Sequence, residues 1–202
     1  MKKAVFILAA ALFTTGAVQA QKTIFGLKAG ANLSNIVGSD APDANQLKLG
    51  GLGGAVVNFP ASSNGFLSIQ PELLYSMKGT SQNAGATKST IHYIDVPVLA
   101  RLDLEGPFLV LGPQANVLLT SNSGRTGYRP VNYGGTAGVG YQSEGGLSVE
   151  LRYNRDVTPL KEDNGNIKVH NYNSVIQAQV GYLFLGSDNP SFNRARHNRS
   201  KY

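Results

Sequence analysis

Eight stretches of this chain alternate apolar and polar residues with a period of two, and the apolar side of every one is free of charge. Period-two alternation makes a strand with two unlike faces. In FLSIQPELLYSMKG (66–79), Leu67, Ile69, Pro71, Leu73, Tyr75 and Met77 fall on one side. Ser68, Gln70, Glu72, Ser76 and Lys78 fall on the other. The pattern predicts strands over about 23–33, 49–59, 66–78, 91–104, 107–119, 133–142, 146–155 and 172–184. No segment has helical periodicity, and 24 glycines in 202 residues suit an all-β chain.

The connections alternate too. Those at 60–65, 105–106 and 143–145 are short and carry turn residues, whereas 34–48, 79–90, 120–132 and 156–171 are long and rich in Ser, Asn and Gly. An up-and-down meander with long loops at one end and tight turns at the other is the form of a transmembrane barrel. A soluble sandwich gives no reason for that asymmetry.

The apolar sets begin with Phe25, Leu27, Ala29, Ala31 and Leu33 and end with Ile176, Ala178, Val180, Tyr182 and Phe184. The opposite faces carry Lys28, Glu72, Lys78, Asp95, Arg101, Asp103, Glu150 and Arg152, four charges of each sign, among small and amide residues such as Gln114 and Asn116. Alternation alone allows the charged set to face water around an apolar interior, or to fill the interior of a barrel whose apolar set faces lipid. Three features favour lipid. In a bilayer one Lys or Arg on the outer face at mid-depth costs roughly 2–4 kcal/mol, which would keep that face free of charge. Aromatics gather near strand ends, with Phe59, Tyr141, Tyr182 and Phe184 at the short-turn end and Tyr75, Tyr133 and Tyr153 at the other, as in interfacial girdles. The balance of charge suits pairing in a closed interior, where Glu72 would lie near Arg101 or Arg152. Pro71, Pro97 and Pro113 fall within strands, where a missing N–H interrupts pairing, so bulges are expected there.

Residues 1–20 read as a signal peptide: Lys2 and Lys3, an apolar run from Ala4 to Phe13, and Val18-Gln19-Ala20 before the cleavage point. The barrel domain is expected over 21–185, followed by a basic tail, 186–202, expected to be disordered and periplasmic. The chain has no cysteine, so no disulfide braces it. Its net charge of +6 sits mostly at the ends, and residues 21–185 hold twelve basic and eleven acidic side chains. No nucleic-acid partner is expected from so neutral a body.

No motif points to catalysis. Of the three histidines, His92, His170 and His197, a surface hydrolase or acyltransferase site would need His170, with Asp156 or Asp163, or His92, and solvated loop residues explain them more simply. Glu162-Asp163-Asn164-Gly165 lacks the further acidic ligands of a calcium loop. Gly50-Gly51-Leu52-Gly53-Gly54 has no Lys-Ser/Thr after it and opens no helix, so it is not a phosphate loop. No catalytic residue, metal ligand or cofactor is assigned.

The runs GLKAGANLSNI (26–36), FLSIQPELLYSMKG (66–79), YIDVPVLARL (93–102), LGPQANVLL (111–119), LSVELRYN (147–154) and IQAQVGYLF (176–184) resemble the Bacteroidetes outer-membrane β-barrel family, the PorT-like group. The resemblance covers nearly all of 23–185. It implies an eight-stranded antiparallel up-and-down barrel in the outer membrane with a wet interior, and little biochemistry. The group's namesake takes part in a secretion and gliding apparatus. Barrels of this kind usually end on an aromatic such as Phe184, which the insertion machinery reads; here seventeen residues follow Leu185.

The expectation is therefore a small, porin-like outer-membrane barrel with a side-chain-filled lumen, long loops outside the cell and both termini in the periplasm. Its partners would be outer-membrane lipid and other envelope or secretion proteins. It would act without catalysis, through its loops or within an envelope assembly. A soluble periplasmic barrel holding a small apolar ligand is the alternative, and a surface enzyme the third reading.

Overall fold

Eight strands follow one another around a closed antiparallel barrel: β1 Ile24–Val37, β2 Lys48–Pro60, β3 Leu67–Gln82, β4 Thr87–Asp103, β5 Pro107–Ser121, β6 Val131–Gln142, β7 Leu147–Asp156 and β8 Tyr172–Leu183. This is a computed structural model, and it describes residues 23–38, 47–82, 87–122, 128–159 and 171–184. Residues 1–20, the basic tail, His170, His197, Asp163 and the 162–165 run lie outside the described residues. Each strand pairs with its chain neighbours, and β1 pairs with β8 from Gly26↔Leu183 to Val37↔Tyr172, so no edge is left open.

Alternation has sorted the faces. Glu72 is 3% exposed whereas Leu73 beside it is 56% exposed. Along β7 the burial pattern switches at every residue, with Leu147, Val149, Leu151 and Tyr153 outside and Ser148, Glu150, Arg152 and Asn154 inside. The apolar set therefore lies on the outer wall. That corrects the soluble alternative: its apolar cavity would need those residues inside, and the interior is occupied by polar and charged side chains instead.

The prolines do not bulge. Pairing of β2 with β3 lapses between Val56↔Glu72 and Phe59↔Ile69, the level of Pro71, yet the register is the same on both sides. The same lapse falls at Pro97 between β3 and β4, and at Pro113 between β4 and β5. Each proline lacks an N–H toward one neighbour only, and the ladder skips that rung. The one register shift between β4 and β5 lies instead between His92 and Tyr93, opposite Leu118 and Thr120. Arg101 and Asp103 keep the phase read from the sequence.

The connection expected over 79–90 is mostly strand. β3 and β4 stay paired out to Gln82↔Thr87, and this hairpin stands beyond the strand ends predicted. At the opposite end, Glu105 and Gly106 both take positive φ, 61° and 123°, as a two-residue hairpin turn of the primed type demands.

Candidate functional site

Among the described residues, charged side chains converge in the lumen, where they form three levels. At the centre, β1 supplies Lys28, β3 Glu72, and β7 both Glu150 and Arg152. Lys28 Nζ donates to Glu72 Oε1 and to Glu150 Oε2, each at 2.8 Å. The Arg152 guanidinium donates through both terminal nitrogens to the two Glu72 oxygens at 2.7 Å, and through Nε to Glu150. Gln70 Nε2 adds a further bond to Glu72 Oε1 at 2.7 Å. Two cations and two anions close a ring with no net charge. Buried charges need this: unpaired, each costs several kcal/mol, and pairing with good hydrogen bonds recovers much of that.

Toward the long loops, Lys78 Nζ donates to Asp95 Oδ1 at 2.9 Å and to Asn116 Oδ1 at 3.1 Å, and lies 5.2 Å from the centre of the Tyr93 ring. Asn116 and Asn173 donate to the two oxygens of Asp156 at 2.7 and 3.0 Å. Above these groups Ile91, Tyr93 and Leu118 form a buried apolar cluster, against which Ile36 and Tyr128 pack.

Toward the tight turns, Arg101 holds Asp103 at 2.6 Å and Gln142 at 2.6 Å, with its guanidinium 3.8 Å from the Phe108 ring centre. Leu99, Phe108 and Val110 form one apolar cluster here, and Ile24, Val56 and Leu183 another. Glycines make the room. A Cβ on Gly140 would stand 2.3 Å from the Phe108 ring, and one on Gly138 would stand 2.8 Å from Arg152 Cγ. The polar middle is thus closed by apolar side chains at both ends.

Of the eight charges assigned to the lumen, Lys28, Glu72, Lys78, Asp95, Arg101, Glu150 and Arg152 are buried, and Asp103 is partly exposed at the turn end. Glu72 takes Arg152 and Lys28 as partners; Arg101 goes to Asp103. Asp156 was missed as a member, because the sequence placed the end of β7 at 155 and gave this side chain to a loop. Its even spacing with Glu150, Arg152 and Asn154 was the available signal. The inward apolar residues Tyr93, Leu99 and Phe108 were also missed, since the opposite face was read only for its polar members. His92 Nδ1 lies 2.6 Å from Tyr75 Oη, with the two rings stacked, so its described neighbour is a phenol and not a carboxylate.

A closed eight-stranded barrel with an apolar wall and a charged, filled lumen is a transmembrane barrel. The chain belongs to the family described as outer membrane protein beta-barrel domain, whose model matches residues 19–162. Among solved structures it is similar to Neisserial surface protein A (NspA), with a TM-score of 0.52 and 12% identity over 80% of this chain and 99% of that one. It is similar also to Ail, the attachment invasion locus protein of Yersinia pestis, solved in complex with the heparin analogue sucrose octasulfate. There the TM-score is 0.50 and the identity 13%, over 81% of this chain and all of that one. No match was found among the curated proteins. At such identities the likeness is one of fold. The protein is a small barrel of the outer membrane, associated with its lipid.

Proposed function

We propose that this protein is a non-enzymatic outer-membrane barrel of the PorT-like group that works through its loop end, as a surface contact or as a component of an envelope or secretion assembly. Lys28, Glu72, Lys78, Asp95, Arg101, Asp103, Glu150 and Arg152 then have a structural role: they hold the interior shut. The observation that carries this is the lumen itself, a neutral ring of Lys28, Glu72, Glu150 and Arg152 with apolar clusters above and below it. A barrel of eight strands has an interior just wide enough for side chains, which makes a poor pore. With the lumen filled, the parts free to vary are the loops.

In this reading the first twenty residues are removed on export, the long loops face outward, and both ends, with the basic tail 186–202, lie in the periplasm. An even strand count puts the two termini on one side. The test is purification of the full chain with its native partners in mild detergent, beside a form in which 38–47 and 160–170 are cut to short turns. Partners that copurify only with the intact chain support the reading. Equal recovery with both forms, or a steady ion current through the purified barrel in a planar bilayer, overturns it.

A further inference from the structure

We propose that the outer wall around Arg155 holds the phosphate of a glycolipid in the outer leaflet, a site that rests on the long loops facing outward as proposed. The apolar side of β7 read from the sequence stops at Tyr153, and one rung further along the same face Arg155 stands exposed. Among the described side chains of the eight strands it is the only charged one on the outer wall, and the others fall on inward positions.

Its height is the first argument. Arg155 pairs with Ser174, and from there to Phe184 strand β8 descends about 25 Å, at about 3.3 Å per residue and a tilt of about 40°. The apolar band of an outer-membrane barrel has about that height. Tyr182 and Phe184, packed edge to face, mark one border of the band, so Arg155 falls at the other, where headgroups begin. A cation that would be costly at mid-depth costs little there.

The second argument is its surroundings. Ser174 Oγ donates to Tyr153 Oη at 3.1 Å, and the Arg155 guanidinium lies near the same oxygen. With that oxygen already accepting, the phenol O–H is left to donate beside the N–H fork of the arginine. On the other flank Arg155 neighbours Gly135 of β6. A Cβ there would meet nothing nearer than 4.0 Å, so packing does not require this glycine, and its bare backbone leaves a notch in the wall. Tyr133 and Tyr153, 55% and 44% exposed, border it. An arginine that only reached up to water would need neither the notch nor the phenol. Together they suit a phosphate monoester on a sugar. The fork and the O–H meet its oxygens, the phenol faces meet the ring, and the wall of Ala137, Leu151 and Ile176 below meets its acyl chains.

The test is native mass spectrometry of the full chain in a neutral detergent, with lipid A, lipid A stripped of its phosphates, or phosphatidylglycerol added. Lipid A is expected to bind ahead of the other two. Arg155→Gln should weaken its binding about ten- to a hundredfold, and Gly135→Leu, which fills the notch and leaves the charge, should weaken it too. Gel mobility that still shifts on boiling shows that both variants keep the barrel. Equal binding of the three lipids, or lipid A binding unchanged in either variant, overturns the site whichever way the loops face. Val157→Cys, in a chain with no cysteine of its own, reads that direction separately. Labelling by an impermeant reagent on intact cells supports the outer leaflet. Labelling only in broken cells, with the preference in detergent intact, overturns the outward placing of the loops and the glycolipid with it.

Discussion

Glu72 illustrates what a single residue does in this protein. Its two oxygens accept from Arg152, Lys28 and Gln70, and none of these bonds reaches solvent. Glu72→Gln is expected to cost about 3–5 kcal/mol, because it strands two buried cations on Glu150 alone. Chemical unfolding in detergent reads that loss, and adding Lys28→Met should recover a large part of it. Gly140 shows the opposite demand, for the lack of a side chain. Gly140→Val should destabilise by about 1–3 kcal/mol through collision with Phe108 and with the Val149 carbonyl, and Phe108→Leu should restore only the part due to the ring. The inward direction of Glu72, Lys28, Glu150 and Arg152 was legible in the sequence, since period two assigns a face residue by residue. The partners were not. Glu72 and Arg152 are 80 positions apart, and Lys28 and Glu150 are 122 apart. Which of them meet is set by the stagger between strands, and that leaves no local trace.

At the scale of the strand, the alternation located every element, and the errors gathered where two signals compete. Ser, Thr and Gly in 79–90 read as loop chemistry, yet β3 and β4 continue to pair through them because each supplies the other's hydrogen bonds. The prolines read as bulges, yet antiparallel pairing lets a strand lose one donor toward one neighbour and keep its register toward both. Pro113 is the informative case: it faces outward, its neighbour Gly135 on β6 stays in register, and only the pairing with β4 lapses. Pro113→Val is expected to close that lapse and stabilise the barrel by about 1 kcal/mol, one recovered backbone hydrogen bond. Slower amide exchange at Val98 and Gly112 would accompany it. No gain in either measurement would mean that the skipped rung is fixed by the twist of the wall and not by the missing N–H.

Taken whole, the molecule reverses the usual arrangement of a folded chain. Leu, Val, Phe and Tyr make the outer surface, and the packed interior is built from ions, amides and glycines with only small apolar clusters near its two mouths. Such a chain gains little by collapsing in water and depends on hydrocarbon to cover it. Spin labels at Leu73 and Val149, on β3 and β7, should therefore be reached by oxygen dissolved in acyl chains and shielded from a water-soluble nickel chelate. Labels at Ser76 or Ser148 should be reached by neither. The fold at this scale was the most legible part of the sequence, because eight repetitions of one pattern outweigh any single misplaced end.

The pairing of β1 with β8 has a consequence in time. Sheets with a free border can assemble stave by stave, but here the first stave has half its hydrogen bonds waiting for the last. Nothing upstream of Tyr172 can be sealed until synthesis has finished, so the nascent protein must be carried to its membrane as an open ribbon, and a chain cut short before β8 would arrive with two raw margins and no way to join them.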